Sequence, residues 1–154
     1  MTTTTAPTAE AEATLALAHK FLEAVNTRNA DALIETMAED ATYELRVAPT
    51  PAVSGHDGIR FALHALDATW RDYNFVTDDL YVDGGLFVAE WTMTGTLAQP
   101  IPVGNRTAVP DGRTVTFKGC DICPVADGKI KAKISYVDAT AWYDQFTFET
   151  GSTS

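Results

Sequence analysis

Residues 111–138, DGRTVTFKGCDICPVADGKIKAKISYVD, carry the pattern that decides the fold. Two runs rich in β-branched and apolar residues, Thr114–Pro124 and Lys129–Asp138, stand on either side of Asp127-Gly128. An Asp-Gly pair between two such runs is a strong signal for the turn of a β-hairpin. The stretch therefore predicts two adjacent antiparallel strands.

Two further strands are predicted upstream by the same reasoning, over Tyr73–Val82 and Leu86–Thr96. Asp83-Gly84-Gly85 lies between them and indicates a second hairpin. The segment Ala98–Gly112 is rich in Pro and Gly, and we interpret it as a long loop. The second half of the chain is therefore predicted to form four antiparallel strands.

The first half of the chain is predicted to be mainly helical. Ala13–Asn26 carries apolar residues at spacings of three and four, which is the period of an amphipathic helix. Asn29 or Asp31 can cap a second, shorter helix. The β-favouring run Asp40–Val47 then predicts a strand, which a proline-broken loop follows.

A third helix is predicted over residues 55–70, GHDGIRFALHALDATW, where the apolar stripe is formed by Ile59, Leu63, Leu66 and Trp70. Ser54 and Asp57 stand three positions apart at its start and resemble a capping box.

The predicted order is helix, helix, strand, helix and four strands, which is typical of an α+β fold with helices gathered on one face of a curved sheet. Such a sheet makes a cone whose open mouth suits a small apolar ligand. We expect residues 1–11 to be a disordered tail, residues 12–146 to form a single domain, and residues 147–154 to be a C-terminal tail.

The chain is acidic, with 11 Lys and Arg against 21 Asp and Glu among 154 residues and a net charge of −10. Such a surface repels phosphate backbones and anionic lipids, so we expect neither nucleic-acid binding nor membrane docking. The first 14 residues have no basic segment and no hydrophobic stretch, so they do not resemble a secretory signal. We therefore expect a cytoplasmic protein.

Cys120 and Cys123 form a single C-x-x-C motif, which can mark a redox pair or half of a zinc site. A zinc site needs two more ligands, and the spacing of the three histidines does not match one. On a strand, moreover, positions three apart point to opposite faces. We interpret the two cysteines as reduced structural thiols.

The pattern resembles the SnoaL-like polyketide cyclase branch of the nuclear-transport-factor-2-like superfamily. The matching pieces are "MAEDATYE", "SGHDGIRFAL", "EWTMTGTL", "DGRTVTFKGCDICPVADGKI" and the terminal "YVD", which together span about Leu15 to Gln145. The resemblance implies a cone-shaped sheet and a homodimer. The resemblance does not single out one reaction, because the same cone-shaped fold occurs in isomerases, cyclases, dehydratases, epoxide hydrolases and non-catalytic binding proteins.

In SnoaL-like cyclases the strand after D-G-K-I usually presents a His and, two residues on, an Asp that serves as general acid/base. Lys133 and Ser135 stand at those places here, so the expected carboxylate is missing. The epoxide-hydrolase branch uses an Arg and an Asp on the earlier strand with the same late Asp. Those places hold Trp91, Met93 and Ser135, which argues against that chemistry.

Ketosteroid isomerases of this fold place a basic Asp on the first strand, a Tyr on the first helix and a protonated Asp on a later strand. The corresponding places here hold Leu45, Phe21 and Asp121. Of the three isomerase residues, this sequence therefore retains only the later Asp, as Asp121.

The last strand is predicted to present Lys129, Lys131, Lys133 and Ser135 on one face, and the resemblance turns the Lys133 and Ser135 side towards the inside of the cone. Asp121 is predicted to face the same way from the neighbouring strand. A carboxylate in apolar surroundings needs a partner, and Lys133 is the natural candidate.

Asp121 and Lys133 are therefore the predicted catalytic pair, in which one group moves a proton next to a carbonyl and the other steadies the enolate. Lys133 could instead form a Schiff base if its pKa is depressed. The non-catalytic alternatives are a self-satisfied buried ion pair or a lysine that extends to solvent along the strand.

The remaining candidates are predicted to bind or orient a substrate: Ser135, Trp91, Met93, His64, Leu45, Phe21 and Phe117. The sequence contains no glycine-rich phosphate loop and no paired-histidine motif, so we expect no cofactor and no metal.

These observations favour a cofactor-independent cyclase, isomerase or dehydratase that acts by proton transfer on a hydrophobic carbonyl compound such as a polyketide. The alternative is a non-catalytic binding or assembly module of the same fold, which Ser135 at the usual Asp position supports. A purely structural domain, with a cone filled by its own side chains, is a third possibility.

Overall fold

The computed structural model describes residues 7–47 and 50–150. These residues form four helices and nine strands in the order α1 (Ala9–Asn26), α2 (Ala30–Thr36), β1 (Met37–Leu45), β2 (Val53–Ser54), α3 (Gly55–Thr69), β3 (Trp70–Asp83), β4 (Leu86–Leu97), β5 (Ile101–Val103), β6 (Arg106–Val109), β7 (Thr114–Ala126), β8 (Lys129–Val137), α4 (Ala139–Gln145) and β9 (Thr147–Phe148). In the described ranges no helix is both long and apolar enough to cross a membrane.

Six strands form one curved sheet in the order β2-β1-β8-β7-β4-β3. β1 runs parallel to β8, and the other neighbouring strands are antiparallel. The helices α1, α2 and α3 pack on one face of this sheet, which confirms the predicted α+β fold. A second, three-stranded sheet has the order β5-β6-β9.

The core has two parts, and both contact the concave side of the large sheet. The first joins α1, α2 and α3 to the sheet around Phe21, Ile59, Leu63 and Phe87. The second lies under α4 and the small sheet and is mostly aromatic, with Trp70, Trp91, Phe117, Trp142 and Phe146 among its members.

Both predicted hairpins are present. β3 and β4 join through Gly84 and Gly85, and β7 and β8 join through Asp127 and Gly128. The left-handed turn needs a positive φ at Asp127 (52°) and at Gly128 (68°), which explains why Asp-Gly stands there.

The predicted limits of the domain need correction at both ends. α1 begins at Ala9, inside the predicted tail, because the Thr8 hydroxyl accepts a hydrogen bond from the Ala11 N–H and caps the helix. β9 lies inside the predicted C-terminal tail and pairs with β6. The tail residues 1–6 and 151–154 lie outside the described residues.

The prediction of a long loop over residues 98–112 is wrong in part, because this segment contains the hairpin of β5 and β6. Val103 and Ala108 are buried there against the aromatic part of the core, which is why the short strands form.

Helix α4 was not predicted at all. Asp138 caps α4 by accepting a hydrogen bond from the Ala141 N–H.

The capping box expected at the start of α3 does not form. Ser54 occupies the N-cap position, but its side chain makes no capping hydrogen bond. Ser54 is instead the last residue of β2, where it pairs with Thr42 of β1. The helix begins at Gly55, whose φ of 71° lets the chain turn directly from the strand.

The prediction that Lys129, Lys131, Lys133 and Ser135 share one face is also wrong. Ile130 is fully buried in the core, and Lys131 pairs on the outside with Asp40. Lys133 and Ser135 nevertheless face inwards, because the pairing register of β8 shifts against both β1 and β7. Such a bulge moves later side chains to the other face.

Gly119 on β7 gives the inner face the room that Trp91 needs. Gly119 pairs with Trp91 of β4, and the Trp91 ring lies over it. A Cβ atom at position 119 would overlap that ring and would lie 2.5 Å from the carbonyl oxygen of Tyr136. The orientation of Trp91 therefore depends on a residue without a side chain.

We predict that Gly119→Ala lowers the free energy of unfolding by about 1–3 kcal/mol, because the Trp91 ring must move in a packed core. Urea denaturation checks this. Gly85→Ala is the matched control, because its Cβ would lie 3.7 Å from the Val125 carbonyl oxygen, an ordinary contact. Equal stability of both variants would contradict the packing described for Trp91.

Candidate active site

A cavity of about 130 Å³ lies between the concave face of the large sheet and helices α1 and α3. It is lined mainly by apolar side chains from helices and strands. Eight of the nine predicted site residues line it: Phe21, Leu45, Trp91, Met93, Phe117, Asp121, Lys133 and Ser135. The cone therefore retains a cavity.

His64 is the predicted site residue that does not line the cavity. Its neighbour Leu63 does so, together with Ile59 and Leu66, while His64 is exposed. One residue along a helix turns the side chain by ~100°, which is enough to move it from the cavity side to the solvent side. The structure therefore does not bring His64 to the cavity with the other predicted site residues.

Three polar side chains meet at the wall of this cavity. The Lys133 Nζ atom lies 3.1 Å from Asp121 Oδ1 and 2.6 Å from Ser135 Oγ. The Ser135 hydroxyl donates to the same Asp121 Oδ1 at 2.7 Å. Each member of this triad, which we call the Asp–Ser–Lys triad, contacts the other two.

The triad forms because two neighbouring strands bring its members into register. Asp121 of β7 and Ser135 of β8 are direct antiparallel partners, so their side chains start side by side on one face. Lys133 stands two residues before Ser135 and shares its face. Asp121 and Ser135 are buried, and the Lys133 side chain retains 19% of its exposure.

The surroundings of Lys133 favour its ammonium form. Burial alone acts to lower the pKa of Lys133, but the negative charge of Asp121 and smaller contributions from Tyr43 and Cys123 together outweigh it. The pKa of Lys133 is therefore raised. A Schiff base needs a neutral amine, and the charge of Asp121 disfavours that form of Lys133.

The two oxygens of Asp121 differ in their surroundings. Oδ1 accepts both hydrogen bonds from the triad. Oδ2 accepts none from the residues in ranges 7–47 and 50–150, and Asp121 borders the cavity. Asp121 thus combines one oxygen fixed by the triad with one that is available to another molecule.

Tyr43 is a site residue that sequence reasoning missed. It lies on β1, pairs with Lys133 of the parallel strand β8, and lines the cavity. The Lys133 Nζ atom stands 4.5 Å from the centre of the Tyr43 ring, a cation–π distance. Tyr43 stands two residues before Leu45, and this spacing could have placed both on one face.

The two cysteines lie in different surroundings and are not bonded to each other. Cys123 is buried in the core, where burial raises the pKa of its thiol, and Cys120 is partly exposed. No three His, Cys, Asp or Glu side chains of the described residues lie close enough together to hold a metal ion.

We predict that Lys133→Met lowers the free energy of unfolding by about 2–4 kcal/mol, because it leaves the Asp121 carboxylate buried without its counter-charge. The double variant Lys133→Met/Asp121→Asn should recover part of that loss. Chemical denaturation of wild type, both single variants and the double variant gives the coupling energy. Losses that simply add would mean that the two residues are not coupled.

The chain matches a family model and resembles several solved structures. The family model of the SnoaL-like domain matches residues 18–133. Among curated protein sequences, none matches significantly.

Several solved structures share the fold. A protein assigned as a SnoaL-like polyketide cyclase from Jannaschia sp. CCS1 superposes with a TM-score of 0.77 at 16% identity, over 90% of this chain and 94% of that chain. TsrD from Streptomyces laurentii gives a TM-score of 0.72 at 26% identity, over 87% and 94%. An epoxide hydrolase from M. tuberculosis, of the LEH-like type, gives a TM-score of 0.65 at 17% identity, over 88% and 90%.

The chains that superpose over most of their length differ in the activities named for them, so the likeness establishes the fold and not the reaction. The family model, by contrast, spans most of the 154 residues. The chain belongs to the SnoaL-like domain family.

Proposed function

We propose that the protein is a cofactor-independent enzyme that moves a proton next to a carbonyl group of a hydrophobic small molecule. The observation that supports this most strongly is the Asp–Ser–Lys triad in an otherwise apolar cavity. It combines a carboxylate, one of whose oxygens accepts no hydrogen bond from the described residues, with an ammonium group 3.1 Å from the other oxygen. A base, Asp121, and an electrophilic partner, Lys133, therefore lie side by side in apolar surroundings, which strengthen their electrostatic interactions with a substrate.

In the proposed step, Asp121 Oδ2 accepts a proton from the carbon next to the substrate carbonyl. The electron pair of the broken C–H bond forms the enolate, whose negative charge moves to the carbonyl oxygen. Lys133 has three N–H donors, of which the triad uses two. The third can donate to the enolate oxygen.

The enolate then has two outcomes. In an isomerisation, Asp121 returns the proton to another carbon of the same conjugated system. In a cyclisation, the enolate carbon bonds to a second carbonyl carbon of the same molecule, and the proton passes to the oxygen of that carbonyl. Both return Asp121 to its starting state, so neither needs an oxidant or a reductant.

Ser135 has a positioning role in this scheme. It stands where SnoaL-like cyclases usually carry an Asp, and its hydroxyl holds Asp121 Oδ1 at 2.7 Å. Because Asp121 is the direct cross-strand partner of Ser135, the carboxylate that the family position lacks is supplied from the neighbouring strand. In this proposal the base therefore stands on β7, one strand away from the family position on β8, and still lines the same cavity.

The substrate is hydrophobic and flat in this proposal. Phe21, Leu45 and Met93 contribute apolar wall, and Trp91 and Phe117 contribute rings that meet edge to face. A polyketide fits this wall, and it is the substrate class in the name of the Jannaschia protein. That the chain works as a homodimer and without a cofactor stays a prediction from the sequence.

A non-catalytic binding module is the second candidate. Ser135 at the usual Asp position favours it, as does a triad whose members satisfy one another. A binder needs the apolar wall and does not need the proton transfer. Binding and proton exchange must therefore be measured on the same variants.

The test follows exchange of the α-protons of 1-tetralone, an enolisable bicyclic ketone, for deuterium in D2O by NMR. We predict that the wild type accelerates this exchange and that Asp121→Asn slows it by about 10²–10⁴-fold, the usual contribution of a general base. Lys133→Met should slow it by about 10²-fold, as loss of an enolate-stabilising donor does. Both variants should keep their affinity for the ketone within about threefold, because the apolar wall supplies most of the binding.

Lys131→Met is the matched control, because Lys131 stands two residues earlier on β8 and pairs with Asp40 outside the cavity. It should leave exchange unchanged. Binding without accelerated exchange in the wild type would refute the enzyme and favour the binding module.

A further inference from the structure

One tyrosine of the cavity wall carries a hydroxyl group that makes no hydrogen bond to the described residues. Tyr43 of β1 is half-buried and lines the cavity. Its contact with the triad is made by the ring, which faces the Lys133 ammonium group. Tyr73 differs, since its hydroxyl donates to Asp67 at 2.7 Å. The hydroxyl of Tyr43 is therefore available to another molecule.

The Tyr43 hydroxyl is also accessible. The enclosed side-chain polar atoms that lack a partner in ranges 7–47 and 50–150 are Trp91 Nε1 and Trp142 Nε1. The Tyr43 oxygen lacks a partner as well and is not one of these enclosed atoms. Tyr43 shares its face of β1 with Leu45, which also lines the cavity. The open side of the hydroxyl is therefore the cavity side of the sheet.

This hydroxyl stands next to the ammonium group of Lys133. Tyr43 and Lys133 are register partners on the parallel strands β1 and β8. The Lys133 Nζ atom lies over the Tyr43 ring, 4.5 Å from its centre, so the hydroxyl projects from the edge of that ring beside it. One N–H of Lys133 is not used by Asp121 or Ser135. Two unused donors thus border the same part of the cavity.

From this arrangement we infer that Tyr43 is a second oxyanion donor, whose hydroxyl group shares with Lys133 the oxygen on which negative charge develops. The donors of an oxyanion site stand about 2.7–3.1 Å from that oxygen, so two neighbouring donors can reach it together. The inference rests on the proposed function, in which the reacting carbonyl lies at Lys133. It adds a neutral donor from β1 to the charged donor from β8.

Tyr43 donates a hydrogen bond in this step and keeps its proton. The proton of the substrate C–H bond passes to Asp121, and the electron pair of that bond forms the enolate. Hydrogen bonds to a charged oxygen are stronger than those to a neutral carbonyl. Tyr43 therefore stabilises the enolate more than the ketone, which is the condition for a catalytic contribution.

The ring of Tyr43 offers a competing explanation. An aromatic ring beside an ammonium group is a cation–π contact, which stabilises Lys133 without any use of the hydroxyl. Tyr43→Phe separates the two explanations, because it keeps the ring and removes the O–H group. If only the ring matters, this variant behaves like the wild type.

The experiment titrates the full chain with 2-naphthol, a flat bicyclic phenol whose ionised form carries an enolate-like oxygen. Its absorbance distinguishes the ionised from the neutral form, so the pKa of the bound probe can be measured. We expect this pKa to be about one to two pH units lower in the wild type than in Tyr43→Phe, because a hydrogen bond favours the charged form by about 10- to 100-fold. Naphthalene, which has no oxygen, should bind both proteins equally.

Exchange of the α-protons of 1-tetralone gives the second readout. Tyr43→Phe should lower the rate at saturating ketone by about 10²-fold, as loss of one oxyanion donor does. The half-saturating ketone concentration should change by less than about threefold, because the ring and the apolar wall remain. Tyr81→Phe is the matched control, because Tyr81 is 54% exposed and does not line the cavity. It should leave both readouts unchanged.

The same pKa of bound 2-naphthol in the wild type and in Tyr43→Phe would overturn the inference in favour of the ring alone. Failure of 2-naphthol to bind would also overturn it. If the wild type and Tyr43→Phe exchange the protons of 1-tetralone equally fast, the role of Tyr43 fails and the proposed function stands. A probe pKa that depends on Tyr43 without accelerated exchange in the wild type supports the oxyanion contact and refutes the enzyme.

Discussion

The site depends on one buried ion pair, Asp121 with Lys133, which two strands hold in an apolar cavity. Removing two charges from water is unfavourable, and their attraction compensates only where the geometry is close and further hydrogen bonds satisfy the remaining polar atoms. Ser135 meets that requirement, since it accepts from Lys133 and donates to Asp121. Tyr43 adds an aromatic face 4.5 Å from the ammonium nitrogen. The carboxylate can therefore stay buried beside a cavity without further charged groups.

Strand register explains how the cavity can hold a carboxylate although Ser135 stands where the resemblance to SnoaL-like cyclases implies an acid. Antiparallel pairing sets Asp121 beside Ser135, so a carboxylate on either strand reaches nearly the same point of the cavity. The shift of register in β8 is equally necessary, because it turns Lys133 inwards while Lys131 stays outside. Gly119 completes the arrangement by leaving room for the ring of Trp91. The arrangement of polar side chains in the cavity thus follows from local details of three strands and not from the fold as a whole.

Most of the fold, and the central pair of the site, could be predicted from the sequence. The hairpins followed from Asp-Gly pairs between apolar runs, and strict alternation on β7 placed Asp121 inside. The features that were missed depend on contacts distant in the chain or on short irregularities. Tyr43 meets Lys133 through a parallel pairing across 90 residues, the bulge in β8 breaks the alternation that was assumed, and α4 is too short for a clear helical period. His64 is exposed and does not line the cavity, because one position along a helix separates the cavity side from the solvent side.

The charge state of Lys133 tests the central claim most directly. The chain has five lysines, so the Nζ signal of Lys133 can be identified with Lys133→Met and followed by ¹⁵N NMR as the pH rises. Because the raised pKa comes mainly from Asp121, Lys133 should stay protonated above about 10.4, the ordinary lysine pKa, and Asp121→Asn should lower its midpoint. Since the pKa is raised in the folded state, the stability that Lys133 contributes is present below the ordinary value and is lost as the pH rises through the folded one. A midpoint at or below the ordinary value that Asp121→Asn does not change would contradict the ion pair and the proton-transfer chemistry built on it.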